Sequence, residues 1–197
     1  HALARTWRTL TVVGQGLRGD PALPLVLRFD AAQHDVAHFA CGNASLDAYI
    51  HSAVARDEEH RTAVAYVLVY PRQRSRVLGY FTLNTFAFPK RQARRRDRDN
   101  HLGIYDPVAA VLIGRLALDR TVQGKGLGGV LLASALTRAL AIREQAGVAV
   151  AVVHAIDETA AAFSEHNGFT RFRDEPLHLY YPLSVFEAGL RARGGEP

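Results

Sequence analysis

Apolar and polar positions form alternating blocks along the chain, and these blocks predict an ordered series of strands and helices. Runs rich in β-branched and aromatic residues predict strands, and apolar residues spaced three or four positions apart predict helices. Strands are predicted at 25–29, 62–70, 77–88, 108–118, 148–153, 169–172 and 177–183. Helices are predicted after an N-cap at Asn43, over 127–145 and over 157–167.

The order of these elements is β-α-β-β-β-α-β-α-β-β, with no internal repeat. A short polar gap at 72–76 predicts a hairpin between the second and third strands. The series predicts an α/β (α+β) fold, with a mixed sheet and helices on both faces. We expect one domain over 25–185, an N-terminal extension rich in glycine and proline at 1–24, and a C-terminal tail at 186–197.

Composition narrows the class of protein. With 48% hydrophobic residues, the 197-residue chain can bury the core of one globular domain. No apolar run reaches the roughly 20 residues of a membrane span, and the first residues lack the pattern of a signal peptide. A single cysteine, Cys41, excludes an intramolecular disulfide and favours a reducing cytoplasm. No histidine pattern predicts a metal site.

The net charge is +5, which favours a polyanionic partner such as nucleic acid, CoA or an acidic protein. Positive charge is densest in a segment predicted as a loop at 90–101. Two interpretations stay open for this segment, a solvated loop or a set of contacts to a phosphate backbone. The candidate nucleic-acid-binding residues are Lys90, Arg91, Arg94, Arg95 and Arg96.

The most informative stretch is the glycine-rich run at 123–129. It lies between a predicted strand and a predicted helix, so its glycines can turn sharply and bring backbone N–H groups to an anion at the helix start. The run lacks the Gly-Lys-Ser/Thr of a P-loop. It also lacks the position and the later acidic residue of the dinucleotide-binding fingerprint.

The residues around this run point to one family. The stretch 114–128, GRLALDRTVQGKGLG, resembles motif A of the GNAT acetyltransferases, and 154–169, HAIDETAAAFSEHNGF, resembles motif B. The segment 39–50, FACGNASLDAYI, is similar to the Phe-x-Cys-Gly signature of the branch that includes toxins of toxin–antitoxin pairs. That branch acetylates the α-amine of aminoacyl-tRNA. The resemblance covers about residues 25–183 and implies the GNAT fold, a twisted and mostly antiparallel sheet.

The resemblance implies acetyl-CoA as the acyl donor and assigns residues to it. Backbone N–H groups of the glycine run would hold the pyrophosphate, the strand before the run would pair with the pantetheine arm, and Asp157 would stand where many members contact pantetheine. The implied cofactor-binding residues are Leu116, Ala117, Leu118, Gln123, Gly124, Lys125, Gly126, Leu127, Gly128, Gly129 and Asp157.

One position departs from the family pattern. The tyrosine that protonates the leaving thiolate follows the phenylalanine of motif B, and here that position is Ser164. A hydroxyl of serine is a much weaker acid than a phenol. General-acid help is worth about 10²–10⁴-fold, so Ser164, acting through water, predicts a slow enzyme. Tyr180 and Tyr181 are alternative proton donors, and Ser164 as a plain helix residue is a third interpretation.

Three functions stay open. The first is a toxin-like acetyltransferase of aminoacyl-tRNA, with an antitoxin protein as partner and a homodimeric state, as the family implies. The second is a GNAT enzyme for another amine, on a small molecule or a protein. The third is an acyl-CoA-binding protein with weak or no catalysis.

Overall fold

The computed structural model describes residues 23–194. The predicted N-terminal extension, 1–24, lies outside the described residues except for its last two. The described residues form seven strands, β1 Leu25–Arg28, β2 Val64–Val69, β3 Gly79–Phe88, β4 Val108–Leu118, β5 Val150–His154, β6 Thr170–Arg171 and β7 His178–Pro182. The same part of the chain forms six α-helices, α1 Ala44–Ser52, α2 Val54–His60, α3 Arg95–Asn100, α4 Leu127–Ala146, α5 Glu158–His166 and α6 Leu183–Gly194.

The strands form one sheet in the order β1-β2-β3-β4-β5-β7-β6. The predicted hairpin is confirmed, since β2 and β3 pair antiparallel with Val67 opposite Tyr80. The pair β4 and β5 is parallel, with Ala110 opposite Val150, while β7 is antiparallel to β5 and to β6. The prediction of a mixed, mostly antiparallel sheet with helices is therefore confirmed.

The described chain divides into two compact units. The first contains residues 23–84 and 114–134, and the second contains 85–113 and 135–194. The first unit buries an aromatic cluster in which Tyr80 contacts Phe39 edge-to-face at 5.5 Å and stacks on Tyr49 at 6.1 Å between ring centroids. The hydroxyl of Tyr80 donates to the carbonyl of Leu46 on α1, at 2.8 Å, so its polar end is satisfied in the core.

The second unit has its own aromatic cluster. Phe172 lies against Phe88 at 4.7 Å and against Tyr180 at 4.9 Å between ring centroids. Leu102 and Val108 belong to the same core. The segment that connects β3 to β4 is therefore anchored by apolar contacts at its C-terminal end, next to β4.

The prediction of a loop at 90–101 was wrong. The structure has a 3₁₀ turn at Lys90–Gln92 and then α3. The helix is held from outside, because the hydroxyl of Tyr180 accepts from the backbone N–H of Arg94 at 3.1 Å and donates to the carboxylate of Asp97. Since α3 has no buried residue of its own, apolar spacing in the sequence gives no sign of it.

Two further helices were not predicted. Helix α2 follows α1 after Ala53 and ends at Arg61, which adopts a left-handed conformation with φ of 55°. Helix α6 occupies most of the segment expected as a C-terminal tail, and residues 195–197 lie outside the described part. Leu183 and Phe186, three positions apart, are both buried, so the start of α6 packs as part of the second unit.

Candidate functional site

The glycine run follows β4 through a short capped turn. Asp119 is buried and accepts from the backbone N–H of Thr121 at 2.9 Å, which caps the 3₁₀ turn Arg120–Val122. Burial alone would raise the pKa of Asp119, but hydrogen bonds from Thr121 and from the backbone N–H of Ala40 lower it below its usual value. Asp119 is therefore held as a carboxylate at the end of the strand.

The run itself requires glycine at two positions. Gly124 and Gly126 have φ of 74° and 78°, in the left-handed region that other residues avoid. A Cβ built on either residue would meet no protein atom within 4 Å. The requirement is thus conformational, and the surface beside the turn stays open for a ligand.

Helix α4 begins directly after the second of these glycines, at Leu127, with Gly128 and Gly129 in its first turn. The first N–H groups of a helix have no partner within the helix, and the positive end of the helix dipole lies behind them. Lys125 is exposed, and its ammonium group donates to the carbonyl of Thr121 at 2.9 Å. The arrangement can bind an anion through backbone groups.

A distant segment of the chain fixes the shape of this turn. The backbone N–H of Ala40 donates to Asp119 at 3.0 Å, and the backbone N–H of Arg120 donates back to the carbonyl of Ala40 at 2.9 Å. The side chain of Gln123 donates to the carbonyls of Cys41 at 2.8 Å and Leu118 at 2.9 Å. Gln123 therefore braces the glycine run through its amide group.

The same segment explains the Cys-Gly pair of the N-terminal signature. Gly42 has φ of 96°, and a Cβ there would lie 2.8 Å from the guanidinium of Arg120. Burial raises the pKa of the Cys41 thiol to about 11, with the neighbouring carboxylate of Asp47 acting in the same direction. A thiol with that pKa is a poor nucleophile at neutral pH. The sequence analysis did not predict that the segment around Cys41 and Gly42 braces the glycine turn.

The strand before the turn is packed tightly at its end. Ala117 is buried, whereas Leu116 and Leu118 are half-buried. Gly79 on β3 allows close approach, because a Cβ there would lie 2.6 Å from a methyl group of Leu118 and 3.0 Å from the carbonyl of Ala117. The three residues predicted to pair with pantetheine thus sit on a rigid part of the first unit.

Asp157 and Ser164 lie in the second unit, on α5. Asp157 is the N-cap of the helix and accepts from the backbone N–H of Ala160 at 2.8 Å. Ser164 is buried, and its hydroxyl donates to the carbonyl of Ala160 at 3.0 Å. In this structure the hydroxyl proton of Ser164 is therefore directed into its own helix.

Helix α5 is held at its surface by Arg171 on β6. The guanidinium group donates to the carboxylates of Glu158 and Glu165, which lie at the two ends of the helix, and to the carbonyl of Pro176 at 3.1 Å. Hydrogen bonds from Arg171 lower the pKa of both glutamates. The cation thus fixes how the helix that carries Ser164 lies on the second unit.

Of the two alternative proton donors, Tyr180 is committed elsewhere. Its hydroxyl is used by α3, as described above, and burial together with Asp97 raises its pKa. Tyr181 is buried and stacks on Phe169 at 5.4 Å between ring centroids. The hydroxyl of Tyr180 donates its proton to the carboxylate of Asp97, so it is not free to donate to a leaving thiolate.

A histidine pair joins the last residue of β5, His154, to the first residue of β7, His178. The rings of His154 and His178 stack at 3.8 Å between centroids, and Nδ1 of His178 contacts the carboxylate of Glu175. The Nε2 atom of His154 is buried without a hydrogen-bond partner. Burial, and the proximity of His178, lower the pKa of His154, so this ring is stable in its neutral form.

The predicted basic residues lie just before α3 and in its first turn. Arg91, Arg94, Arg95 and Arg96 are exposed. Lys90 is used in the structure, because its ammonium group donates to the carbonyl of Gly103. Arg95 approaches Asp99 only to 4.0 Å, and its side chain is 88% exposed, so this ion pair ties up little of its charge.

Comparison with known proteins adds close relatives. The chain is 33% identical to a tRNA-acetylating toxin of Mycobacterium tuberculosis over 145 residues, which is 74% of this chain and 84% of that protein. No protein-family model matches the chain. Among the described residues, no helix combines the length and the apolar character that a membrane crossing requires.

Solved structures of similar proteins also match the fold of this chain. AtaT in complex with acetyl-methionyl-tRNAfMet matches with a TM-score of 0.78 and 25% identity, covering 85% of this chain and 99% of AtaT. A Tyr-to-Phe mutant of AtaT, bound to acetyl-CoA and to the C-terminus of the antitoxin AtaR, matches with a TM-score of 0.72 and 26% identity, covering 85% and 98%. The similarity thus extends over nearly the whole of each neighbour.

Proposed function

Because the chain belongs to the GNAT acetyltransferases, in the branch of the tRNA-acetylating toxins, we propose that it transfers an acetyl group from acetyl-CoA to the α-amine of an aminoacyl-tRNA. The observation that carries the proposal is the braced glycine turn that leads from β4 into the start of α4. Its open surface and backbone N–H groups fit a pyrophosphate. Acetyl-CoA supplies the acetyl group in activated form, as a thioester.

The first unit would hold the donor. Backbone N–H groups over 123–129 would bind the pyrophosphate, and the backbone of Leu116, Ala117 and Leu118 would pair with the pantetheine arm. A backbone N–H of that strand would stabilise negative charge that develops on the thioester oxygen. Lys125 is tied to Thr121 in the structure and would add positive charge to the turn. The acceptor amine attacks directly, so no nucleophilic side chain is needed.

In the second unit, Asp157 would orient the pantetheine arm from the start of α5. Ser164 would hold the water that protonates the leaving thiolate, once its hydroxyl turns from the carbonyl of Ala160. Since the α-amine of an aminoacyl ester is weakly basic, it attacks as the neutral amine at neutral pH, and a strong base is not required.

The role of Ser164 can be tested with two variants of equal bulk. Ser164→Tyr restores the phenol of the family pattern, and Ser164→Phe adds the same ring without the hydroxyl. We expect kcat of the Tyr variant to exceed that of the Phe variant by about 10²-fold or more, because only the phenol is a general acid. Thermal unfolding of both variants measures the packing cost of the ring. Equal kcat values would show that this position does not supply the proton.

Other features of the chain fit a tRNA substrate. Exposed arginines before and within α3 would contact tRNA phosphates. A tRNA substrate would imply that the enzyme acts in the cytoplasm. By the family pattern we also propose a homodimer and an antitoxin protein as the inhibitory partner. Light scattering of the purified protein, alone and with a candidate antitoxin protein, tests both proposals.

The activity test uses purified protein, labelled acetyl-CoA and total aminoacylated tRNA, with label counted in acid-precipitable RNA. Deacylated tRNA is the matched control, because it lacks the acceptor amine and keeps every phosphate. We expect label only with charged tRNA. Intact binding of acetyl-CoA with no label in RNA would refute the acceptor, and label transferred to a free amino acid or peptide would assign another amine.

A further inference from the structure

Two apolar side chains project from the segment that joins α3 to β4. Ile104 is 86% exposed and Tyr105 is 78% exposed, the highest values among the large apolar residues that the structure describes. They form the tip of the loop at 101–107, which we call the aromatic tip. Neighbouring apolar side chains that are this exposed form a small apolar surface, so the tip is a candidate contact surface.

The aromatic tip is built firmly. Lys90 donates through its ammonium group to the carbonyl of Gly103, and its backbone N–H donates to the carboxylate of Asp106 at 3.0 Å. Leu102 before the tip and Val108 after it are buried in the core of the second unit. The exposed pair is therefore presented by a loop whose two ends are fixed, and binding through it would cost little ordering entropy.

The tip is hydrogen-bonded, through Lys90, to the most basic segment of the chain. Residues 90–101 contain six lysines and arginines against two aspartates. Asp97 accepts from the hydroxyl of Tyr180, and the segment as a whole keeps its positive charge. Lys90 joins the two features directly, since it belongs to the basic segment and holds both flanks of the tip.

An exposed aromatic ring on a loop that is hydrogen-bonded to a basic segment is a combination that suits unpaired nucleotides. The ring stacks on a base, and the cations hold the phosphates on either side. A duplex offers phosphates but no open base face, and an acidic peptide offers charge without a stacking surface. The charge and the ring together therefore favour an unpaired stretch of RNA as the occupant.

We propose that Tyr105 stacks on an unpaired base of the charged tRNA, with Ile104 against the same nucleotide and Arg95 and Arg96 on its phosphates. The proposal rests on the proposed function, because it takes tRNA as the substrate. It adds a base contact to what was expected to be a purely electrostatic surface. The tip would thus select unpaired RNA over duplex.

The test compares Tyr105→Ala, Tyr105→Phe and Arg95→Ala in the full chain, with Val185→Ala as a matched control at another exposed apolar residue on α6. Filter binding measures the affinity for total tRNA and for an RNA duplex without unpaired ends. We expect Tyr105→Ala to weaken tRNA binding about tenfold, and Tyr105→Phe and the control to bind normally. Arg95→Ala should reduce the salt dependence of binding by about one counterion, whereas Tyr105→Ala should leave it unchanged.

Several results would overturn the proposal. Equal affinities of Tyr105→Ala and Tyr105→Phe would exclude stacking, and equal losses on tRNA and on the duplex would exclude an unpaired base. Binding to vesicles of anionic lipid, or to the antitoxin, that depends on Tyr105 while tRNA binding does not would assign the tip to that partner.

The outcome is separable from that of the proposed function. If the enzyme acetylates charged tRNA and Tyr105→Ala leaves KM for tRNA unchanged, the stacking proposal fails and the function stands. If no charged tRNA is acetylated but RNA binding still depends on Tyr105, the function fails and the contact stands.

Discussion

The glycine turn offers the sharpest test of cofactor binding, because Gly126 allows charge and shape to be separated. With φ of 78°, any side chain there must accept a left-handed conformation, and asparagine and aspartate accept it most readily. A Cβ at this position meets no protein atom within 4 Å, so neither residue clashes. Gly126→Asn and Gly126→Asp therefore have nearly the same shape and strain, and differ by one negative charge.

The expected difference follows from Coulomb's law. A carboxylate about 6 Å from one phosphate charge costs about 0.7 kcal/mol in bulk water and about 3 kcal/mol at an effective dielectric constant of ~20. The turn is exposed, so the value should fall between these limits. The Asp variant should thus bind acetyl-CoA about threefold to a hundredfold more weakly than the Asn variant.

Titration calorimetry at low salt measures both affinities, and repeating it at high salt should shrink the difference. Acetyl-pantetheine, which lacks the pyrophosphate, is the control ligand and should bind both variants equally. Thermal unfolding without ligand should also be equal, which would show that the turn is intact. Equal affinity of the two variants for acetyl-CoA at low salt would refute the placement of pyrophosphate at this turn.

Three further predictions concern packing and protonation. Gly79→Ala should destabilise the fold by about 1–3 kcal/mol in urea unfolding, because its Cβ would lie 2.6 Å from the side chain of Leu118 on β4. As a control, Gly189→Ala should stabilise the fold by about 0.5–1 kcal/mol, because its Cβ would meet open space in helix α6. With burial raising its pKa to about 11, Cys41 should react with iodoacetamide at about pH 8 roughly a hundredfold more slowly than in the unfolded chain, and equal rates would contradict that burial. Because burial lowers the pKa of His154, the folded state binds fewer protons than the unfolded one, and stability should fall as pH drops below about 6.5. His154→Leu should flatten this slope, and an unchanged slope would assign the acid sensitivity to other groups.

Local patterns predicted the elements whose signals are local. The strand at 108–118 was predicted with the bounds that the structure has, because its apolar run is long and rich in β character. The predicted N-cap is confirmed at Asn43, whose side chain accepts from the backbone N–H groups of Ser45 and Leu46. The predicted end of α4 is confirmed at Gly147, which adopts φ of 60°.

Two of the features that the sequence did not predict, helix α3 and the brace of the glycine turn, have a common physical cause. Helix α3 is stabilised by Tyr180, which lies more than eighty positions away in sequence, so no window around 95–100 contains its partner. The brace of the glycine turn is likewise remote, because Gln123 meets Cys41 across 82 positions. The sequence predicted the glycine turn itself, but local residue spacing could not predict the contacts that hold it, because their partners are far away in sequence.

That brace also has a consequence for the order of events during synthesis. Residues 39–42 leave the ribosome long before 119–123, and the turn acquires its shape only when both are available to pair. Closing so long a loop is slow compared with forming a local helix. Under the proposed function, a nascent or truncated chain that ends before the turn would therefore not bind the acetyl donor. A cell that makes this protein would be exposed to its activity only after most of the chain has been completed.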